Sequence, residues 1–260
     1  MRPWHLNISS NTRLTLFPEP GHMRMALGRM VAVLGKDMAL FCIVDDHLHT
    51  IIVCDELILQ RRMRGLTRSM RNLAAVEVNP TYCKPVAGRR HMENLFSYIL
   101  TQTGKHQLPV HPALWQGGCF VDLVGARHLP GLTLRAREAL PRASQATAFE
   151  AVGLPTHRLD PMEAEQVRSL GAARLLAAAA AASGADPKLG GNYRPEVIAR
   201  RSACHLAKTS GIPLTELSWQ LGVTQRATAR MALHPDGEHF AQYVRTHLAL
   251  EERVRASPQR

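Results

Sequence analysis

Leu40-Phe-Cys-Ile-Val-Asp-Asp-His-Leu-His-Thr-Ile-Ile-Val-Cys54 is the stretch that decides the fold class. Two dense apolar runs, 39–44 and 49–54, flank a short polar break at Asp45 and Asp46. Runs this short and rich in Ile and Val read as buried strands, either paired across a turn or forming one strand bent at a bulge. Working outward, residues 4–9 read as a further strand. Met23, Leu27, Met30, Val31 and Leu34 recur at helical spacing up to Gly35, a residue suited to a helix end. Residues 57–75 read as an arginine-studded helix. Residues 82–87 read as a short strand that Pro85 confines to a sheet edge, and 90–102 as a helix with Gly104 just beyond it. Strands interleaved with helices in this way specify an α+β domain with an antiparallel sheet. Residues 107–150, rich in Pro and Gly, read as an irregular edge and linker.

The remainder is helical. Asp160-Pro-Met-Glu163 combines an N-cap, a first-turn proline and an acid, a helix start, and the helix then runs through the alanines 177–182 to Ser183 and Gly184. Another helix covers 195–208. Residues 213–232 read as a helix-turn-helix, with Gly222 at the turn and Leu214, Leu217, Leu221, Val223 and Ala227 as its core. Thr224, Gln225, Arg226, Thr228 and Arg230 are then the exposed positions, able to read duplex DNA. A purely structural helical hairpin fits the same spacing. The expected division is 1–143, a linker at 144–159, and a helical domain at 160–260.

Apolar residues make up 45% and charged ones 20% of the 260, enough to bury a core and too apolar for global disorder. No apolar run approaches the length of a membrane span, and no secretory leader is expected. Five scattered cysteines without a CxxC pair disfavour a disulfide scaffold or zinc cluster and fit a reducing compartment. The 32 basic residues outnumber the 21 acidic ones for a net charge of +11, which favours a polyanionic partner. The excess is uneven: residues 1–143 hold 18 basic and 10 acidic residues (+8), the rest 14 and 11 (+3).

Residues i and i+2 of a strand point to one face, so His47 and His49 stand side by side and could bind a divalent ion. Surface or capping histidines are the plainer alternative. On the downstream helix, Tyr98 and Gln102 lie one turn apart on one face. Two imidazole nitrogens and an amide oxygen leave room for water and phosphate oxygens, which suits Mg²⁺ or Mn²⁺ better than a closed zinc cage. A tyrosine beside a metal-held phosphodiester could attack it and form a phosphotyrosine ester. Arg61, Arg62, Arg64, Arg68 and Arg71 lie on the neighbouring helix. They read as a phosphate-binding run for single strands or hairpins, or as a solvated face.

The 40–54 stretch resembles the His-hydrophobic-His strand of the single-tyrosine transposases, with Asp45-Asp46 in place of the usual Pro-Asn pair. Tyr98 follows about 50 residues later, as in that family, and Gln102 stands where the family has a third metal ligand. Tyr82-Cys83-Lys84 is similar to the Arg-Tyr-Lys strand before the tyrosine helix. His111-Pro-Ala-Leu-Trp115 through Leu123-Val-Gly125 is similar to a downstream Pro…Trp…Leu-x-Gly segment. The likeness covers about residues 3–127 and is greatest to transposases associated with repetitive extragenic palindromes. Their Asn-Pro-Val after the tyrosine is replaced here by Gln102-Thr103-Gly104. The resemblance implies the HUH nuclease fold and a transposase that cleaves and rejoins single-stranded DNA beside a hairpin. Tyr98 would join the 5′ end and release a 3′ hydroxyl, while His47, His49 and Gln102 hold Mg²⁺ or Mn²⁺ and Lys84 contacts DNA. The expected enzyme is a monomer or homodimer without membrane contact, in a bacterial cytoplasm at the nucleoid. The alternative is a catalytically inactive DNA-binding regulator of the same fold. Intact His47, His49, Tyr98 and Gln102 favour the enzyme.

Overall fold

The computed structural model describes residues 1–11, 14–155 and 158–257. One unit comprises Met1–Leu123 and Pro130–His157. Its elements are β1 (Arg2–Ser9), α1 (Pro20–Leu34), β2 (Met38–Ile43), β3 (His47–Cys54), α2 (Glu56–Arg71), β4 (Tyr82–Pro85), α3 (Arg89–Leu100), α4 (Gln102–Lys105), α5 (Phe120–Leu123), α6 (Ala136–Ala139) and α7 (Gln145–Ala151). The strands form one antiparallel sheet in the order β2-β3-β1-β4, which is the α+β class expected.

The Val44 N–H donates to His47 O at 2.9 Å, so the two apolar runs pair as a hairpin rather than forming one bent strand. Register then places Asn7 opposite His49, and Ser9 opposite His47. Alternation along β3 puts His47, His49 and Ile51 on one face and Leu48, Thr50 and Ile52 on the other. The second set is fully buried together with Leu6 and Ile8 of β1.

Strand β2 ends the sheet yet is buried along its whole length. Its outer edge is covered by backbone from the Pro- and Gly-rich segment. Ile43 N–H donates to Gly117 O (2.8 Å), Cys119 N–H to Phe41 O (3.0 Å), and Arg135 N–H to Met38 O (2.8 Å). An unpaired edge would template association with another chain. The stretch 107–150, expected as irregular linker, therefore closes the sheet. It also carries α5–α7, with α7 packed on α3 and α5 and Phe149 edge-on to Phe120 at 5.3 Å.

The second unit comprises Val124–Leu129 and Arg158–Arg260. Its helices are α8 (Ala164–Ser183), α9 (Arg194–Ser210), α10 (Leu214–Leu221), α11 (Gln225–Ala232) and α12 (Pro235–Arg255). Helix α8 starts after Glu163, whose N–H is capped by Gln166 Oε1 at 2.9 Å. The expected start at Asp160 and Pro161 is thus too early. Met162 is held outside the helix by backbone pairing with Arg245 (Met162 N–H to Arg245 O, 3.3 Å) and by the Arg245 guanidinium on Met162 O. Ala178, Ala179, Ala180 and Ala182 are buried where α8 packs on α9 and α12, and side chains this small let helices approach closely.

Residues 124–129 lie against these helices. His128 N–H donates to Ala182 O (2.9 Å), its ring sits 5.0 Å from those of Phe240 and Tyr243, and Ala126 O is 3.2 Å from His247 Nδ1. The observed division departs from the expected 1–143, 144–159 and 160–260 in two places. Helix α7, inside the expected linker, belongs to the first unit, and 124–129 belongs to the second. Among the described residues no helix is long and apolar enough to cross a membrane. All five cysteines are free.

Candidate functional site

On one face of the sheet, β1, β3 and the α3–α4 helices enclose an open cleft of about 540 Å³. Asn7, Asp46, His47, His49, Tyr98 and His106 all line it. The antiparallel register brings the β1 side chains beside those of β3 on this face. His49 Nδ1 is 3.0 Å from His5 Nε2 and 3.3 Å from Asn7 Nδ2. Its Nε2 is 3.3 Å from the Tyr98 hydroxyl. Burial above all, and then the neighbouring His47, His5, His106 and Lys105, lowers the His49 imidazole to about 3, so it is neutral at ordinary pH. Burial lowers His5 too, with help from His91 and Lys84.

His47 stands edge-on to His49, with ring centres 4.6 Å apart, and 4.8 Å from the ring of His106. Asp46 Oδ1 is 2.5 Å from His47 Nδ1. His47 Nε2 is buried with no hydrogen-bond partner. His106 Nδ1 lies 3.0 Å from Asp45 Oδ1 and 3.7 Å from Asp46 Oδ1. Asp46, His47 and His106 could hold a metal ion: each offers one ligand atom, all within 4.8 Å of one another. The buried, unpartnered His47 Nε2 fits such a cation. The Lys105 ammonium lies 3.8 Å from the centre of the Tyr98 ring.

Gln102 is not part of this group. It is buried, and its side-chain amide donates to Tyr98 O at 2.9 Å. The expectation of a shared face assumed an unbroken helix through Gln102. Thr101 leaves helical geometry (φ −105°, ψ 10°), α3 stops at Leu100, and α4 starts afresh at Gln102. Across that break His106 reaches the cleft instead. A further histidine in the same turn-by-turn register as Tyr98 and Gln102 was the available signal. His5 and Asn7 carried none, because only the long-range β1–β3 register brings them in.

On α2, Arg61, Arg64, Arg68 and Arg71 are exposed at positions i, i+3, i+7 and i+10, a single stripe. Arg71 also donates to Val78 O (3.2 Å). Arg62 departs from expectation. It is half-buried, 2.6 Å from Asp37 Oδ2 in an ion pair, and donates to Val33 O, so it ties α2 to the end of α1 and the turn that follows α1. Lys84 is exposed on β4 opposite His5, with Nζ 5.4 Å from the Tyr82 ring.

In the second unit, α10 ends at Gly222 in the left-handed region (φ 63°). Thr224 Oγ1 caps α11 by accepting from Ala227 N–H at 3.2 Å. Leu217 is fully buried, and Leu214, Leu221, Val223 and Ala227 are partly buried. Gln225, Arg226 and Arg230 are exposed, together with Ala229. Thr228 is not: it is fully buried, and its hydroxyl donates to Gln225 O at 2.8 Å. One turn after the cap, it falls on the inner face with Ala232. No family model, curated protein or solved structure matches this chain.

Proposed function

We propose that the first unit is a metal-dependent tyrosine endonuclease and transposase of the HUH nuclease fold, which cleaves and rejoins single-stranded DNA beside hairpins through a 5′-phosphotyrosine. The observation that carries this reading is one cleft holding a nucleophile and a cation-ready histidine together: Tyr98 Oη at 3.3 Å from neutral His49, and His47 with a buried, unpartnered Nε2 held by Asp46. Mg²⁺ or Mn²⁺ held by Asp46, His47 and His106 would polarise the scissile phosphate. With Nδ1 accepting from Asn7 Nδ2–H, neutral His49 carries its hydrogen on Nε2, which donates to the Tyr98 oxygen and orients it. His5 and Asn7 fix the His49 ring from the other side. Lys105 supplies positive charge beside the ring as its oxygen attacks phosphorus, the 3′ oxygen leaves, and a 5′-phosphotyrosine forms. Rejoining reverses the exchange. The Arg61, Arg64, Arg68 and Arg71 stripe would bind backbone phosphate. In the second unit, α10 and α11 read as a helix-turn-helix presenting Gln225, Arg226 and Arg230 to a duplex stem.

The turning away of Gln102 favours the competing reading, a catalytically inactive DNA-binding regulator; His106 in the cleft argues against it. Incubation with end-labelled single-stranded hairpin DNA and Mn²⁺ separates the two. An SDS-stable protein–DNA adduct is expected from the wild-type chain and none from Tyr98→Phe. An undiminished adduct from the Phe variant would overturn the assignment.

A further inference from the structure

The cleft of the histidines has a further end, lined by Ser9, Ser10, Asn11 and Asn79, that the chemistry at Tyr98 leaves unused. Backbone hydrogen bonds build this end. Asn11 N–H donates to Glu77 O (3.2 Å) and Asn79 N–H to Ser9 O (3.0 Å), so residues 77–79 run beside the end of β1. Ser10 N–H donates to Asp46 O (3.3 Å), which joins the end of β1 to the β2–β3 turn. Ser9 stands opposite His47 in the β1–β3 register, and residues directly opposite in an antiparallel pair share a face. Its side chain is therefore on the face of His47 and His49. The Asn79 side-chain amide donates from Nδ2 to Ser9 Oγ and to Ser10 O, both at 3.2 Å. A carbonyl oxygen only accepts, so the Ser10 contact fixes the amide nitrogen and makes Ser9 Oγ an acceptor. The Ser9 oxygen is thus held by Asn79, while its hydroxyl hydrogen stays free to turn; among the described residues nothing accepts it.

We propose that Ser9 donates a hydrogen bond to the 3′ oxygen that leaves when Tyr98 attacks the phosphate; the inference rests on the nuclease reading above. The entering and leaving oxygens of a phosphoryl transfer lie roughly in line on opposite sides of phosphorus. Tyr98 Oη meets His49, whereas Ser9 faces His47, two residues further along β3. Two residues of an antiparallel strand span about 6.8 Å. That span accommodates a phosphorus, its entering and leaving oxygens, and one hydrogen bond of about 2.7–2.8 Å. In the step, Tyr98 gives its phenolic proton to water and its oxygen bonds to phosphorus. The P–O3′ bond breaks, its electron pair stays on O3′, and that oxygen takes a proton from water to become the 3′ hydroxyl. Ser9 keeps its own proton and stabilises the charge that builds on O3′ before the new proton arrives. In rejoining, the same contact orients the 3′ hydroxyl toward the phosphotyrosine. A hydroxyl does this without adding positive charge beside the residues that would hold the cation.

The test changes the leaving atom. Hairpin DNA cleaved by the wild-type chain in Mn²⁺ is made again with sulfur in place of O3′ at the cleaved junction. A thiol, with a pKa of about 8.5, leaves as its anion without a donor. In single-turnover adduct formation, full-length Ser9→Ala should be at least about tenfold slower than wild type on the oxygen substrate and equal to wild type on the sulfur one. Retained cleavage of the sulfur substrate also shows that the variant is folded and its cation site intact. Slowing of both substrates alike assigns Ser9 a structural role and overturns the proposal, as does slowing of neither or of the sulfur substrate alone. No adduct from wild-type protein overturns the nuclease reading and this inference with it. Adduct formation indifferent to Ser9 overturns this inference alone.

Discussion

His106 is the residue that distinguishes the proposed metal site from the one expected from spacing, because it reaches the cleft across the break at Thr101 while Gln102 turns away. His106→Ala should weaken Mn²⁺ binding at least about tenfold, measured by calorimetric titration. Gln102→Ala should leave Mn²⁺ binding unchanged. It should instead cost about 0.5–1.5 kcal/mol of stability, the worth of the hydrogen bond to Tyr98 O, read by urea unfolding. The reverse pattern, with Gln102 controlling the ion, would restore the ligand set expected from spacing alone. The shared face of His47 and His49 was legible in the sequence because alternation along a strand depends on nothing beyond the strand. The ligand role expected of His49 was not: its Nδ1 faces His5 and Asn7 and its Nε2 faces Tyr98, and the candidate ligand group is Asp46, His47 and His106. Gln102 misled because the i, i+4 rule holds only within one helix. Thr228 misled for a related reason: composition marked it as polar, while its place one turn past the Thr224 cap turns it inward.

Small residues lie where helices of the second unit pack, and Gly237 of α12 is a close approach of backbone to backbone. A Cβ there would lie 2.7 Å from Arg201 O and 3.1 Å from His205 Cβ on α9. Backbone cannot yield as a long side chain can, so Gly237→Ala should destabilise by about 1–3 kcal/mol despite the higher helix propensity of alanine. Gly190→Ala is the control, since a Cβ there meets nothing within 4 Å; it should stay within about 0.5 kcal/mol. Equal thermal shifts for the two variants would mean that the α9–α12 contact relaxes freely. Helices α8 to α11 were readable from apolar spacing, caps and glycine ends, but α12 was covered only by the general expectation of a helical 160–260, and the two apolar runs of β2 and β3 left pairing and bending both open. The role of 107–150 was not readable, because it joins β2 through backbone N–H and C=O groups, which leave no side-chain periodicity. The start of α8 was missed likewise, since the pairing of Met162 with Arg245 spans most of that unit.

For the molecule as a whole, the net charge of +11 matters through where its exposed, unpaired guanidinium groups lie, not through its size. The chain passes between its two units at 123–124, 129–130 and 157–158, an interleaving that no composition shift announces. A cut at about residue 151 therefore strips 124–129 of the helices they pack on. Point substitutions are the sounder way to separate the two basic faces. Each phosphate contact contributes about 0.7 to the salt slope of single-strand binding and about 0.9 to that of duplex binding. Replacing Arg61, Arg64 and Arg68 together by Ala should thus flatten the slope of log K against log salt by about 2 for single-stranded DNA, leaving the duplex slope unchanged. Replacing Arg226 and Arg230 by Ala should do the converse, flattening the duplex slope by about 2. Arg62→Ala separates charge from position. It removes the same formal charge as any other arginine, but its guanidinium is engaged by Asp37 and Val33 O. It should lower stability in urea while both slopes hold. A loss of slope from Arg62→Ala equal to that from Arg64→Ala would mean that net charge alone, and not the exposed stripe on α2, draws nucleic acid to this protein.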